Sequence, residues 1–263
     1  MRPPKKSLGQ HFLTDRNILT AIADAARVEP GDAVIEIGPG RGALTAVLAG
    51  RAREVVAVEL DHDLARDLSA KAPANVRIVE ADARAVSASA LLGGCRPYKL
   101  VGNLPYYAAM PILRAFLDAA CRPQSASVLV QREVAEQLCA APGAMSLASL
   151  AVQLYGRARI ARVVRPGSFN PPPKVDSAVV AIDVYDSPAE GIDDPARFFT
   201  LARAGFSAPR KQLRNALAAG LAVAPGDAEA LLAAAGVAAV RRAETLSVAE
   251  WAALYRAWRA GGA

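Results

Sequence analysis

The stretch Ala33-Val-Ile-Glu-Ile-Gly-Pro-Gly-Arg-Gly42 sets five mostly apolar residues directly against three glycines at alternate positions. The apolar run reads as a buried strand, and the glycines read as a tight turn. Residues 43–49, Ala-Leu-Thr-Ala-Val-Leu-Ala, continue as a helix. Strand, glycine turn and helix are the start of a doubly wound α/β sheet, in which ligands sit at the carboxyl ends of the strands. The spacing G-x-G-x-G departs from the pyrophosphate fingerprint G-x-G-x-x-G, and Glu36 precedes it. Tight turns need glycine for their own reasons, so the cluster alone does not name a ligand. The Glu36 side chain either points into the core or holds water.

Working outward, Glu54-Val-Val-Ala-Val-Glu-Leu60 is a second strand. It ends at Glu59, close to the roughly twenty-residue offset at which an acid meets the ribose hydroxyls of an adenosine. Val76-Arg-Ile-Val-Glu-Ala-Asp82 is a third strand, and an acid at its tip can accept from an adenine amino group. Either acid alone is an ordinary solvated strand end or helix cap. Both together, beside a glycine turn, indicate an adenosyl ligand. No G-x-x-x-x-G-K-[ST] run cradles a triphosphate. Acidic strand ends suit a compact, positively charged tail such as that of S-adenosylmethionine.

The fourth strand, Tyr98-Lys-Leu-Val101, runs into Gly-Asn-Leu-Pro-Tyr-Tyr107. Asn and Pro are common in plain β-turns. At a sheet's carboxyl edge they also suit a flat base, with an amide oxygen and a backbone carbonyl accepting from its amino group and Tyr106 stacking on the ring. A fifth strand (residues 126–131) and two helices (residues 132–140 and 145–155, the second capped by Ser146) follow. Residues 158–164 alternate like a half-buried strand, and residues 175–184 form the last one. Between them, Arg165-Pro-Gly-Ser-Phe-Asn-Pro-Pro-Pro-Lys174 is either a rigid connector or a mount for Phe169 as a second stacking ring facing Tyr106.

The expected division is an α/β domain over residues 1–186, with a basic N-terminal arm, and a small all-helical domain over residues 187–263. Helices are expected over residues 16–27, 108–120, 198–206, 209–217, 227–235 and 247–259. Arg210, Lys211 and Arg214 cluster in one of them. Such a cluster is either a solvated face or a set of phosphate contacts. The 263 residues are 53% hydrophobic and 21% charged, which excludes a disordered chain. The net charge of +6 favours a polyanionic partner. No apolar run approaches the roughly 18 residues of a membrane helix, and no secretory signal is visible. Three scattered cysteines, Cys95, Cys121 and Cys139, fit a reducing cytoplasm, and two histidines leave little for a metal site.

Taken together, Leu8-Gly-Gln-His-Phe-Leu13, Glu36-Ile-Gly-Pro-Gly40, Val58-Glu-Leu-Asp61, Asn103-Leu-Pro-Tyr106, Gln131-Arg-Glu133, Phe169 with Pro171-Pro-Pro-Lys-Val-Asp-Ser-Ala178, and Arg210-Lys-Gln-Leu-Arg-Asn215 resemble the ribosomal RNA adenine dimethylases over nearly the whole chain. The resemblance implies a Rossmann-like class I methyltransferase sheet that uses S-adenosylmethionine and no metal. It implies cofactor contacts at His11, Leu13, Gly38, Gly40, Glu59, Leu60, Asp82, Ala83 and Asn103. Many members carry Asn where this chain has His11. Chemistry falls to Asn103, Leu104, Pro105, Tyr106 and Phe169, and RNA contacts to Lys5, Lys6, Arg210, Lys211 and Arg214. The implied substrate is a pair of adjacent adenosines in a hairpin loop near the 3′ end of small-subunit rRNA, converted to N6,N6-dimethyladenosine by a cytoplasmic monomer acting on a late 30S assembly particle. The large-subunit, erythromycin-resistance branch, a small-amine methyltransferase and a non-catalytic RNA-binding assembly factor are the competing readings.

Overall fold

Val34, Ile35, Val55, Val56, Leu100 and Val128 are all fully buried, as strands covered on both faces require. They come from the central strands of a seven-stranded sheet in the computed structural model, which describes residues 10–261. Those strands are β2 (Ala33–Ile37), β3 (Glu54–Glu59), β4 (Val76–Glu80), β5 (Lys99–Asn103), β6 (Ser125–Gln131), β7 (Gly156–Val164) and β9 (Ser177–Val184). Their order is β4-β3-β2-β5-β6-β9-β7. The first five are parallel, and β9 runs antiparallel to β6. The chain therefore reverses direction on either side of β2 and closes with a late strand inserted beside β6. This is the methyltransferase form of the doubly wound sheet.

Helix α1 (Arg16–Ala25) precedes the sheet, and α2 (Ala43–Ala49), α3 (His62–Ser69), α4 (Ala88–Leu92) and α5 (Ala109–Leu117) make the crossovers. Each start has a local cause. Asp15, Asp61 and Ser87 accept from backbone amides of the first turns of α1, α3 and α4. Gly42 begins α2 in the left-handed region, at φ 83°. The buried side of α1, with Ile18, Leu19 and Ile22, joins the core that contains Val34, Leu48, Val55 and Val101.

By contacts the chain forms two units. The first comprises Met1–Glu136 and Arg157–Val184, and the second Gln137–Gly156 and Tyr185–Ala263. The continuous division expected at residue 187 thus differs from the observed one. Helix α6 (Arg132–Leu138) ends just past the crossover between units, and α7 (Leu147–Gln153) belongs to the second. Ser146 caps α7 through a reciprocal Ser146–Ser149 capping box, as expected of that serine.

The second unit also holds α8 (Pro195–Phe206), α9 (Leu213–Leu221), α10 (Pro225–Ala234) and α11 (Val248–Ala260). Fully buried Trp251, Phe198 and Tyr255 form its core. The Trp251 ring stacks on Phe206 at 5.4 Å between centroids. The expected helix over residues 209–217 begins only at Leu213, so Arg210 and Lys211 lie in the preceding turn.

Three further differences concern single elements. Strand β7 is not half-buried: all residues from Arg159 to Val163 are exposed, because it is the last strand of the sheet. Two short strands went unrecognised, β1 (Phe12–Leu13) and β8 (Phe169–Asn170), which pair antiparallel and tie the N-terminal arm to the proline-rich loop. A two-residue strand leaves no periodicity to read. Cys95 and Cys121, read from the sequence as scattered cysteines of a reducing compartment, form a disulfide with their Cα atoms 5.5 Å apart. Among the described residues, no single helix is long and apolar enough to cross a membrane.

Gly102, in β5, has no room for a side chain. It sits level with Ile37, and a Cβ there would lie 2.5 Å from the Ile37 carbonyl oxygen. Backbone cannot yield as a side-chain tip can, so Gly102→Ala is expected to cost about 1–3 kcal/mol of stability, typical of an overpacked core. Denaturant unfolding of the two proteins checks this. An unchanged midpoint would mean that the β2–β5 spacing is not fixed as described.

Candidate active site

The glycine turn sets the floor of the site. Gly38 and Gly40 have φ of 69° and 56°, conformations that most side chains resist. A Cβ on Gly38 would meet the Asn103 carbonyl oxygen at 3.2 Å, and one on Gly40 would meet the Phe12 ring at 3.1 Å. Phe12 is itself covered by the Arg41 guanidinium, 4.1 Å above its ring centroid. Phe12 is therefore packed over the turn. Gln10 extends the tie by donating to Asp61 at 3.0 Å.

Glu59 crosses from the tip of β3 to this turn. One carboxylate oxygen accepts from Gly40 N–H at 3.0 Å and the other from Asp61 N–H at 2.9 Å. Its side chain is buried, and desolvation raises its pKa against the pull of those backbone bonds. The arrangement bears on which ligand fits. In a dinucleotide site the turn's amides face a pyrophosphate. Here the Gly40 amide is already taken by an internal carboxylate. The turn is thus suited to hydroxyl or cationic groups, since each carboxylate oxygen keeps a lone pair for another donor.

Asp82 lies beyond the end of β4. It accepts from Arg84, with Arg84 Nη2 to Asp82 Oδ2 at 2.5 Å and Arg84 Nε to Oδ1 at 3.0 Å. The Arg84 side chain holds the Asp82 carboxyl below its ordinary range. Arg84 also donates its backbone N–H to Oδ1 at 2.9 Å and Nε–H to Oδ2 at 3.1 Å, so both oxygens are engaged, and an incoming amino group would share one with Arg84 or displace it.

Asn103 closes β5, and Leu104 anchors the turn after it. Leu104 is 1% exposed, and its N–H donates to Leu129 O at 3.1 Å. The Asn103 side-chain Nδ2 donates to the backbone carbonyl of His11 at 3.1 Å. That bond fixes the amide's orientation and leaves Oδ1 as the acceptor. His11 is placed by its own Nδ1–H, which donates to Pro171 O at 2.9 Å. The carbonyl of Pro105 already accepts from Ala108 N–H at 2.9 Å. Among the described residues no backbone amide is bonded to the Leu104 carbonyl. Tyr106 is held by a 2.8 Å hydrogen bond between its hydroxyl and Ser177 Oγ, and its ring stacks on His11 at 6.0 Å.

These groups line one open cleft. His11, Gly38, Gly40, Glu59, Leu60, Asp82, Ala83, Asn103, Leu104, Pro105 and Tyr106 all reach it. Leu13 and Phe169 do not: they sit opposite each other in the β1–β8 pair and are buried at 5% and 4% exposure in the core. Phe169 is thus no second stacking ring facing Tyr106, because the strand pairing turns it inward. The cleft gains residues that the sequence reading passed over, among them Phe12, Arg84 and Tyr107, which is 56% exposed. Tyr107 was legible as the next residue of the same motif, and Phe12 required knowledge of the arm's path. In the second unit Arg210 and Lys211 are exposed, whereas Arg214 is ion-paired with Glu229 at 2.5 Å. Lys5 and Lys6 lie outside the described residues.

Glu36 lies beneath the cleft, in β2. It is 1% exposed, and neither carboxyl oxygen has a hydrogen-bond partner among the described residues. Burial pushes its pKa up to about 8, and the Glu59 charge adds to this. The Thr45 hydroxyl is near enough to oppose the shift, without full hydrogen-bond geometry. Since this carboxyl ionises near 4.5 when unfolded, the folded chain retains one more proton between about pH 4.5 and 8, and stability falls as pH rises through that window. Glu36→Gln is expected to flatten the fall. Thermal melts from pH 5 to 9 check it, and parallel curves for the two proteins would refute a buried neutral acid.

Comparison with known proteins agrees with this geometry. The chain matches the ribosomal RNA adenine dimethylase family over residues 2–258. It is 47% identical over 250 residues to the ribosomal RNA small subunit methyltransferase A of Dehalococcoides mccartyi (strain ATCC BAA-2266 / KCTC 15142 / 195), covering 94% of this chain and 86% of that protein. It is 45% identical to the protein of the same name from Anaeromyxobacter dehalogenans (strain 2CP-C), covering 96% and 93%. Among solved structures, the 23S rRNA methyltransferase ErmE superposes with a TM-score of 0.73 at 28% identity, covering 94% of this chain and 98% of that one. A dimethyladenosine transferase from Plasmodium falciparum has the same fold, with a TM-score of 0.81 at 22% identity over 96% and 98% of the chains. The chain is a member of the ribosomal RNA adenine dimethylase family.

Proposed function

We propose that this chain transfers methyl groups from S-adenosylmethionine to the N6 atoms of two adjacent adenosines in a hairpin loop near the 3′ end of small-subunit rRNA. As a family member it is an S-adenosylmethionine-dependent rRNA adenine N6,N6-dimethyltransferase. The observation that carries the mechanism is the bond from Asn103 Nδ2 to the His11 carbonyl, which commits the amide oxygen to accepting.

The cofactor fits the cleft by chemistry. Glu59 is placed to accept from ribose hydroxyls, Asp82 from the adenine amino group of the cofactor, and Gly38 leaves room for close approach. When bound, S-adenosylmethionine supplies a methyl group on a positively charged sulfur. The chain's task is to present the target nitrogen. Adenine N6 is a weak nucleophile because its lone pair is delocalised into the ring. In the first transfer Asn103 Oδ1 and the Leu104 carbonyl accept from its two hydrogens, and in the second one of them accepts from the hydrogen that remains; each time they draw the nitrogen toward tetrahedral geometry and aim the lone pair along the line of transfer. The carbonyl of Leu104 suits this role better than that of Pro105, which Ala108 already occupies. Tyr106, fixed through Ser177, stacks on the unstacked base. The proton released from the cationic N6 passes to water.

Exposed Arg210 and Lys211 supply phosphate contacts in this reading, and Lys5 and Lys6, which lie outside the described residues, are proposed as further ones. The enzyme works as a cytoplasmic monomer on a late 30S assembly particle. The likeness to ErmE gives some weight to a large-subunit target. The 44–47% identities to proteins named for the small subunit weigh more.

Labelled S-adenosylmethionine incubated with undermethylated small subunits is expected to mark two neighbouring adenosines near the 3′ end. Label confined to large-subunit rRNA would favour the second reading. Asn103→Ala is expected to lower kcat by about 100-fold or more with little change in cofactor affinity. A wild-type rate in that variant would remove Asn103 from the chemistry. Glu59→Gln loses a charge-assisted hydrogen bond and is expected to weaken cofactor binding by about 10- to 100-fold. An unchanged calorimetric titration would take Glu59 out of the site.

A further inference from the structure

The last strand of the sheet carries a feature that the cleft does not use. In β7, Arg157, Arg159 and Arg162 are all exposed, and the strand contains no acid. Elsewhere in the chain several exposed arginines are neutralised: Arg27 pairs with Asp183, Arg66 with Asp63, Arg114 with Asp118, and Arg165 with Asp176. Among the described residues, none of the three β7 arginines makes an ion pair. Other exposed arginines among those residues, including Arg16, Arg53 and Arg203, also lack an ion pair, but only β7 carries three of them on one strand with no acid between.

Their geometry restricts what could bind. Side chains alternate along a strand, so Arg157 and Arg159 share one face and Arg162 projects from the other. A partner lying along the open edge is reached from both sides. From Arg157 to Arg162 the strand advances about 17 Å at roughly 3.3 Å per residue, more than a single phosphate spans. No aromatic side chain is interleaved with the arginines, so the strand offers no platform for unstacked bases. A regular, rod-like polyanion fits, and base-paired RNA is one, recognised mainly through its backbone.

We infer that β7 is a docking edge for the phosphate backbone of the base-paired rRNA that flanks the methylated loop, gripped by Arg157, Arg159 and Arg162. This rests on the rRNA substrate argued above and adds a contact surface to it. The contrasting role is protection of a bare sheet edge against pairing with another chain, for which charge of either sign serves.

The test compares wild type with the R157A/R159A/R162A variant, and with an R51A/R66A/R114A control that removes equal charge at ion-paired positions. Filter binding is measured over a salt series on two RNAs: the target hairpin alone, and the hairpin with its flanking helices. On the longer RNA the β7 variant is expected to lower the log–log salt slope by about 2–3, near 0.7–0.9 per lost phosphate contact. The hairpin alone and the control variant should show wild-type slopes. An unaltered slope on the longer RNA, an equal loss with the control, or an equal loss on the hairpin alone would each overturn the inference. If the β7 variant does not fold, ultraviolet crosslinking of the wild-type protein decides: flanking-helix nucleotides should map to residues 157–165, and crosslinks confined to other segments would overturn it. Wild-type protein that methylates small-subunit rRNA while the β7 slope stays unaltered sinks this inference alone. Wild-type protein inactive on that rRNA sinks the substrate reading instead.

Discussion

Everything in the site depends on the parallel register of β2 with its two neighbours. Ile37 lies level with Val58 on one side and with Gly102 on the other. One residue further, the three chains deliver a glycine turn, Glu59 and Asn103 to the same edge. A slip by one residue would turn every side chain to the opposite face, so the buried Val and Ile on both faces hold the register as firmly as the ladder does. Gly102 permits the approach, having no Cβ to press on the Ile37 carbonyl. The catalytic geometry is thus a consequence of packing in the sheet, and the functional groups add little of their own to hold it.

On that edge the arm and the proline-rich loop do the finer positioning. Pro171 fixes His11, His11 fixes the Asn103 amide, and Ser177 fixes Tyr106. Each bond joins segments far apart in sequence, the first by 160 residues and the last by 71. Electrostatics points the same way. The Gly40 amide is taken by Glu59, so the turn lacks the free donor that a pyrophosphate needs, and the acids favour a ligand bearing hydroxyls and positive charge. Glu36 below them remains neutral over most of the physiological range, which limits how much like charge accumulates beneath the glycine turn.

The sheet was legible because its signals are local. Apolar runs, the glycine cluster and acids at strand ends survive without any tertiary information, and their boundaries fell within a few residues of those observed. What failed to read were features decided by distant pairing. Phe169 looked like a free aromatic on a stiff loop, yet its pairing opposite Leu13 draws both into the core. Arg214 looked like one of three equivalent cations, yet Glu229, fifteen residues on, neutralises it. Residues 158–164 alternate as a half-buried strand should, but a strand at the sheet's end has no second layer to bury one face. Helix α7 belongs with the C-terminal unit although more than thirty residues separate it from Tyr185, and composition carries no trace of that.

The central claim is that the methyl donor lies at the tips of β2, β3 and β5, with its ribose at Glu59 and its sulfur-borne methyl toward Asn103. Crystals grown with S-adenosylmethionine test it most directly. The account requires ribose hydroxyls within hydrogen-bond distance of the Glu59 carboxylate and the methyl group facing Asn103 Oδ1. Ligand density seated away from these strand tips, or a ribose turned from Glu59, would contradict it.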